Sequence, residues 1–369
     1  MPNKKLYTKL LCDFIEKSNH KEVNQLQNYI TSLLEKFNIA YKLINLNKDH
    51  SMIISSFYKN SSKKTILLNG HVDVVDPGRG WDHDPFKSKI LNGKLFGRGS
   101  SDMKSGLCAL LITYIELYLE SNFKGNLKFI STTLEEKGCL GSKKLVSKYK
   151  DFFEDVEGII VGEPTGLFLK TKEKGAIWFN ISTLGKIAHS SKPENGENAI
   201  KKMFKLITIL ENNMKKFDGV TLSLNKIKGG IANNIVPDFC ESVLDIRIPS
   251  TTNSSIIREK ITSQIKKEKA LFKELLYCPS FNFDNSQKYF IQFAKSFFSK
   301  LNLYDQDNAE VEYFTDGSIF SNLNIPILIV GPGEINQAHK KNEFVYIDKY
   351  LQSVVFYKNF LNAFFNNLK

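Results

Sequence analysis

The chain has 369 residues and a formal net charge of +12, with 42% hydrophobic residues; that length exceeds what one core usually serves, so two domains are expected, and no apolar run approaches a membrane span. The excess lysine is dispersed among asparagines without a basic run or interleaved aromatics, which excludes nucleic acid as the expected partner. The unpaired cysteines (Cys12, Cys108, Cys139, Cys240, Cys278) and an opening Met-Pro-Asn-Lys-Lys-Leu-Tyr without an apolar leader argue against a disulfide framework, a thiolate metal site and secretion, so a cytoplasmic protein is expected.

In chain order, spaced apolar residues predict helices over residues 5–37, through Leu6, Leu10, Leu11, Phe14 and Ile15, then Leu26, Tyr29, Ile30, Leu33 and Leu34. Strands are predicted at residues 52–58 and 65–68, a helix from Ser105 to Glu120, a strand over 127–133, a helix over 141–149 and a strand over 158–161. This alternation predicts an α/β domain, a mostly parallel sheet covered by helices. Near Lys172 the rhythm changes. A strand at 176–184, a helix at 198–213, strands at 221–227 and 241–248, a helix at 254–269 and a last strand near 277–283 form an α+β ferredoxin-like module. The larger domain resumes with a helix over 286–301, a strand over 326–330 and a closing helix from Tyr350. The expected organisation is therefore a discontinuous domain of residues 1–173 and 284–369, with residues 174–283 inserted.

Several apolar runs end in an acidic or imidazole side chain. Thr65-Ile-Leu-Leu-Asn-Gly leads to His71-Val-Asp73, whose side chains share a face on an extended segment. Glu135 and Glu136 follow Leu127-Lys-Phe-Ile-Ser-Thr-Thr, Glu163 closes Gly158-Ile-Ile-Val-Gly-Glu-Pro, and His339 follows Pro326-Ile-Leu-Ile-Val-Gly-Pro-Gly. Asp102 stands in Gly97-Arg-Gly-Ser-Ser-Asp-Met-Lys. Alone, His71 or His339 reads as a structural histidine and Asp102 as a helix cap. Together, beyond the carboxyl ends of strands, they predict a metal centre. Nitrogen and oxygen donors without sulfur suit zinc, and also cobalt or manganese; a carboxylate shared by two ions would make a two-metal site. Adjacent Glu135 and Glu136 diverge on an extended segment, so one can ligate while the other serves as a general base. Only Arg79, Arg98, Arg247 and Arg258 are arginines among 51 basic residues. In so lysine-rich a chain, Arg98 and Arg247 are candidates for places that need the planar fork.

The ordered motifs Gly-His71-Val-Asp73, Gly97-Arg-Gly-Ser-Ser-Asp102-Met-Lys, Glu135-Glu136, Val161-Gly-Glu163-Pro-Thr and Gly331-Pro-Gly to Ala338-His339-Lys-Lys-Asn-Glu343 resemble the co-catalytic dizinc aminoacylase and carboxypeptidase family. That family includes acetylornithine deacetylase, succinyl-diaminopimelate desuccinylase and the glutamate carboxypeptidases. The resemblance implies that Asp102 bridges two zinc ions, with His71 and Glu163 on one and Glu136 and His339 on the other. It implies that Asp73 orients His71, and that Glu135 deprotonates a metal-activated water and then protonates the leaving amine. In the inserted module, His189 of Gly185-Lys-Ile-Ala-His-Ser-Ser resembles a lid histidine that stabilises the oxyanion across a dimer, while Asn234 and Arg247 resemble residues that hold the substrate's carboxylate. Arg98 is assigned to holding the loop under Asp102.

The implied function is hydrolysis of the acyl–amide bond of a small N-acyl amino acid or short peptide by a homodimer joined through the inserted module. Glu163-Pro-Thr-Gly-Leu, the segment from Gly331 to His339 and Thr221-Leu-Ser-Leu-Asn-Lys-Ile-Lys-Gly-Gly look most like acetylornithine deacetylase. Succinyl-diaminopimelate desuccinylase and a dipeptidase or glutamate carboxypeptidase are the alternatives. An inactive dimerising scaffold would have lost a ligand or the base, and neither is lost. Leu134, where the family often has an acidic residue, and Ser105, in place of a common glycine, are departures that remove no ligand.

Overall fold

The computed structural model describes residues 3–17, 19–60 and 64–367. Two compact units emerge: the chain up to Thr171 with Phe283–Ala309 and everything from Thr315 onward, and a second made of Lys172–Asn282 and Glu310–Phe314.

The first unit is built on a six-stranded sheet that runs, edge to edge, through Tyr41–Asn45, Ser51–Tyr58, Asn126–Thr132, Thr65–His71, Val156–Val161 and Ile327–Ile329. The last four pair in parallel, while Tyr41–Asn45 and Ser51–Tyr58 add an antiparallel edge. That edge follows from chain length: a short turn allows only a hairpin return, whereas parallel neighbours need a crossover. Thr65–His71 and Asn126–Thr132 are buried along their whole length, as parallel strands covered on both faces must be. Helix Lys104–Leu119 is buried almost all round, packed against the sheet and against helices Lys4–Glu16 and Ile347–Asn367. Its approach to the strands is so close that a Cβ on Gly106 would lie 1.8 Å from the Gly162 carbonyl oxygen. Phenylalanines of helix Tyr289–Ser299 interlock edge-on with Phe356, Phe360 and Phe364 of the last helix, each buried ring contributing ~1.5–3 kcal/mol. A ribbon of Lys89–Leu91, Lys94–Phe96 and Phe344–Tyr346, too short for a periodic signal, joins distant parts of this unit.

The second unit has the order strand–helix–strand–strand–helix–strand. Its antiparallel sheet runs Thr221–Gly229, Phe239–Ile248, Gly175–Leu184, Leu271–Cys278. Ile177, Phe179 and Ile181 join Leu244, Ile246 and Ile248 in one core with helices Ala199–Met214 and Ser254–Lys267; the alternate residues Trp178, Asp245 and Arg247 therefore belong to the opposite face. Asn198 and Asn253 cap the two helices. The last strand begins at Leu271 and ends at Cys278, earlier than the 277–283 expected. Pro279 has no N–H for the ladder, and Phe281–Asn282 pairs instead with Lys172–Glu173. Glu310–Val311 joins the same small sheet in parallel. Among the described residues, no helix is long and apolar enough to cross a membrane.

Candidate metal centre

Three neighbouring parallel strands finish at one end of the sheet, and each delivers an acid or imidazole there. His71 is the last residue of Thr65–His71, Glu135 and Glu136 follow Asn126–Thr132, and Glu163 follows Val156–Val161. Asp102 precedes helix Lys104–Leu119, and His339 sits in a loop beyond Ile327–Ile329 with a left-handed φ of 61°.

These side chains converge. His71 Nε2 lies 3.6 Å from Asp102 Oδ1, 3.7 Å from Glu163 Oε1 and 3.9 Å from Glu135 Oε2. His339 Nε2 lies 3.1 Å from Glu136 Oε1 and 3.5 Å from Asp102 Oδ2. The ligand atoms of His71, Asp102 and Glu163 fall within 4.8 Å of one another, as do those of Asp102, Glu136 and His339. Asp102 is common to both groups.

The imidazole of His71 tests whether a cation fits. Its Nδ1 is 2.9 Å from the main-chain oxygen of Asp73. A carbonyl only accepts, so Nδ1 carries a proton, and Nε2 is the atom whose lone pair the neutral ring would offer to a cation. That Nε2 is buried and has no hydrogen-bond partner, yet it faces the carboxylate oxygens just described. Lone pairs aimed at a common point in a dry cavity need a positive ion between them, and nitrogen and carboxylate donors suit zinc or its divalent neighbours. Electrostatics agree. Burial pushes the Glu135 carboxyl well above the usual carboxylate range; His71 opposes this, and Glu163, Glu136 and Asp316 add to it. Burial likewise raises Glu163 well above that range and lifts Glu136.

Asp73 meets the histidine through its main chain and the glutamate pair through its side chain. Its carboxylate, 3.6 Å from His71 Nδ1, accepts instead from the main-chain N–H groups of Glu135, at 3.3 Å, and Glu136, at 3.2 Å. Leu134 just before them has a φ of 59°, a turn of the backbone at the entry to the glutamate pair. Thus the carbonyl of Asp73 holds His71, and its carboxylate holds the main chain of Glu135 and Glu136.

Asp316 had no counterpart in the sequence reading. Buried at the start of helix Asp316–Phe320, it accepts from the hydroxyls of Thr132 and Ser142. Cys139 Sγ lies 3.6 Å from Glu135 Oε1 and 3.5 Å from the Thr315 oxygen. The only local signal was the cap-like Thr315-Asp-Gly, which marks a helix start and no chemistry.

The other predicted residues belong to the second unit. His189 and Asn234 lie on paired segments: Ser190 N donates to the Asn234 oxygen at 3.0 Å, and His189 bridges Ile235. Ser191 N donates to His189 Nδ1 at 3.2 Å, which places the ring proton on Nε2. Arg247 directs Nε and Nη2 to the carboxylate of Asp245, at 2.8 and 3.0 Å, two residues away on the same face.

Residues 67–363 match the model of peptidase family M20/M25/M40. The chain belongs to this family. A probable succinyl-diaminopimelate desuccinylase from Staphylococcus aureus (strain N315) is 31% identical over 396 residues, covering 95% of each chain. An acetylornithine deacetylase from Buchnera aphidicola subsp. Schizaphis graminum is 30% identical, covering 90% of this chain and 87% of its own. Among solved structures, an M20 family metallo-carboxypeptidase from Sulfolobus solfataricus superposes with a TM-score of 0.80 at 20% identity, covering 98% of this chain and 99% of that one. A dinuclear metal binding peptidase of the M20 family from Bacillus subtilis gives 0.72 at 16% identity, covering 100% and 99%. These two share the M20 fold with the present chain. The protein is thus an M20 metallohydrolase that acts on amide bonds, and the paired ligand groups around Asp102 form its candidate dinuclear site.

Proposed function

We propose that the protein hydrolyses the acyl–amide bond of an N-acylated diamino acid. The observation that carries the chemistry is the buried His71 Nε2 without a hydrogen-bond partner, grouped with Asp102 and Glu163 while Asp102 also joins Glu136 and His339. The substrate class takes its support from the relatives' names: succinyl-diaminopimelate desuccinylase and acetylornithine deacetylase each describe an acyl group leaving a diamino acid.

When bound, two zinc ions (or cobalt or manganese), one held by His71, Asp102 and Glu163 and the other by Asp102, Glu136 and His339, would acidify water and polarise the acyl carbonyl. Glu135 is the acid of the pair that joins neither ligand group. It takes the proton of the attacking water and returns it to the departing amine, so base and acid are one side chain used twice. Asp73 fixes its main chain, and Asp316 and Cys139 shape its surroundings. On this reading the second unit is a lid and dimerisation module. His189 offers its Nε2 proton to the developing oxyanion, and Asn234 and Arg247 meet the substrate's carboxylate. The protein works as a cytoplasmic homodimer.

A panel of N-acetylornithine, N-succinyl-diaminopimelate and simple dipeptides on zinc-reconstituted protein tests this. The highest kcat/KM belongs to one of the acylated diamino acids. A dipeptide turned over best would refute the substrate class, and no turnover of any amide by protein loaded with two ions would refute the role of the site.

A further inference from the structure

We propose that Glu343 is a positioning residue that ties the loop bearing Asp102 to the loop bearing His339, and so sets the affinity of the ion between them. The inference rests on the metal-centre reading above and concerns a residue outside the ligand set.

Glu343 lies four places after His339 and is fully buried. Its Oε2 accepts from Arg98 Nη1 at 2.6 Å and from Gly99 N at 3.0 Å. Its Oε1 accepts from Ser101 N at 2.8 Å and from Asp102 N at 3.0 Å. Its own main-chain oxygen accepts from Gly97 N at 3.0 Å. One side chain therefore gathers the amides of the loop that presents Asp102. Only a carboxylate can do this, because both of its oxygens are acceptors and each has two lone pairs. The buried charge is matched by Arg98, whose Nη2 donates to the Pro77 oxygen at 3.3 Å and whose guanidinium lies 5.2 Å from the centre of the Trp81 ring.

The same segment is held at two further points. Asn342 Nδ2 donates to Asp82 Oδ2 at 2.8 Å, and Asp82 N donates to Asn342 Oδ1 at 3.0 Å. Upstream of His339, Glu334 N donates to Ser101 Oγ at 2.7 Å, and that hydroxyl donates to the Glu334 oxygen at 2.9 Å. His339 thus sits between two ties to the Gly97–Asp102 loop. It has little else to fix it: its side chain is 55% exposed, its φ is left-handed, and among the described residues its imidazole hydrogen-bonds to Glu136. His71 and Glu163, by contrast, are set by the ends of sheet strands. The ion held by Asp102, Glu136 and His339 should therefore depend on Glu343 far more than the ion held by His71, Asp102 and Glu163.

The test is zinc titration of metal-free protein against a chromogenic chelator, with circular dichroism run beside it, for the parent, Glu343→Gln, Arg98→Lys and Asn342→Gly. An amide at 343 turns an NH2 group toward N–H donors, so Glu343→Gln should keep one ion at parental affinity and bind the other about 10- to 100-fold more weakly. Arg98→Lys, which keeps the charge and loses the fork, should show the same split to a lesser degree. Asn342→Gly is half-buried and suits the left-handed backbone there (φ 55°); it carries the test if a buried variant does not fold, again with selective weakening. Equal loss of both ions, or parental affinity for both in any folded variant, overturns the latch. A parent that takes fewer than two ions brings down the metal-centre reading and the latch with it; a parent that takes two, matched by Glu343→Gln, brings down the latch alone.

Discussion

The main-chain oxygen of Asp73 accepts the Nδ1 proton of His71 at 2.9 Å, while the carboxylate of the same residue serves the amides of Glu135 and Glu136. The two tasks can be separated by mutation. Asp73→Asn preserves the carbonyl and hence the tautomer of His71, but turns an NH2 group toward the glutamate amides. It should lower kcat by about 10- to 100-fold and weaken chiefly the ion that uses Glu136. Metal analysis after gel filtration and steady-state kinetics check this; loss of the ion on His71 would mean that the carboxylate orients the ring after all.

Glu135 and Asp102 should behave in opposite ways. On the proposed assignment Glu135→Gln removes the proton shuttle and leaves both candidate ligand groups intact, so kcat should fall by about 10²–10⁴-fold with two ions still bound. Asp102→Ala takes a donor from both groups and should leave less than one ion per chain. Loss of metal in Glu135→Gln would show that Glu135 and Glu136 exchange roles.

Gly106→Ala probes how the helix after Asp102 is seated. The added Cβ would lie 1.8 Å from the main-chain oxygen of Gly162, immediately before Glu163. Backbone cannot yield as a side chain would, so helix and strand must separate. An overpacking cost of about 1–3 kcal/mol or more is expected, read as a lowered thermal midpoint, together with weaker binding of the ion shared by Asp102 and Glu163. An unchanged melting curve would contradict the close approach.

Acid stability has a source remote from the metal centre. Asp155 accepts from the buried Lys128 ammonium and, at 2.6 Å, from the Thr65 hydroxyl. Burial raises its carboxyl, but these donors outweigh it, so its pKa lies below the ordinary 3.8. A folded-state pKa depressed in this way contributes stability that is complete above the unfolded value and is lost as pH falls through the folded one. Asp155→Asn should therefore cost on the order of 1–3 kcal/mol at neutral pH and progressively less below pH 3.8. Parallel denaturation curves at pH 7 and pH 3 measure it; a constant difference between the two would remove the ion pair as the cause.

Much of the site was visible in the linear chain because its logic is local. Donor identity follows from residue type: two imidazoles and several carboxylates, with no sulfur, restrict the metal. Position follows from periodicity, since the runs before His71, Glu135 and Glu163 are strands that end together. Asp316 escaped because no apolar run delivers it. It reaches the site through a bond to Thr132, 184 residues away, and nothing near it in sequence marks that partner. Glu343 appeared only as the tail of a motif, for the same reason.

The amino-acid sequence by itself determined the candidate donors, the strand-end placement of three of them and the membership of the M20 family. These depend on side-chain chemistry and short-range patterning, which survive without knowledge of the fold. Only the tertiary structure decided which atoms of Asp73 act on which partners, that Arg247 closes on Asp245, and that Glu343 grips the amide of Asp102 across 241 residues. Such contacts depend on where the closed chain places donors and acceptors, and a buried acceptor takes whichever donor is within reach, however far away along the sequence it lies.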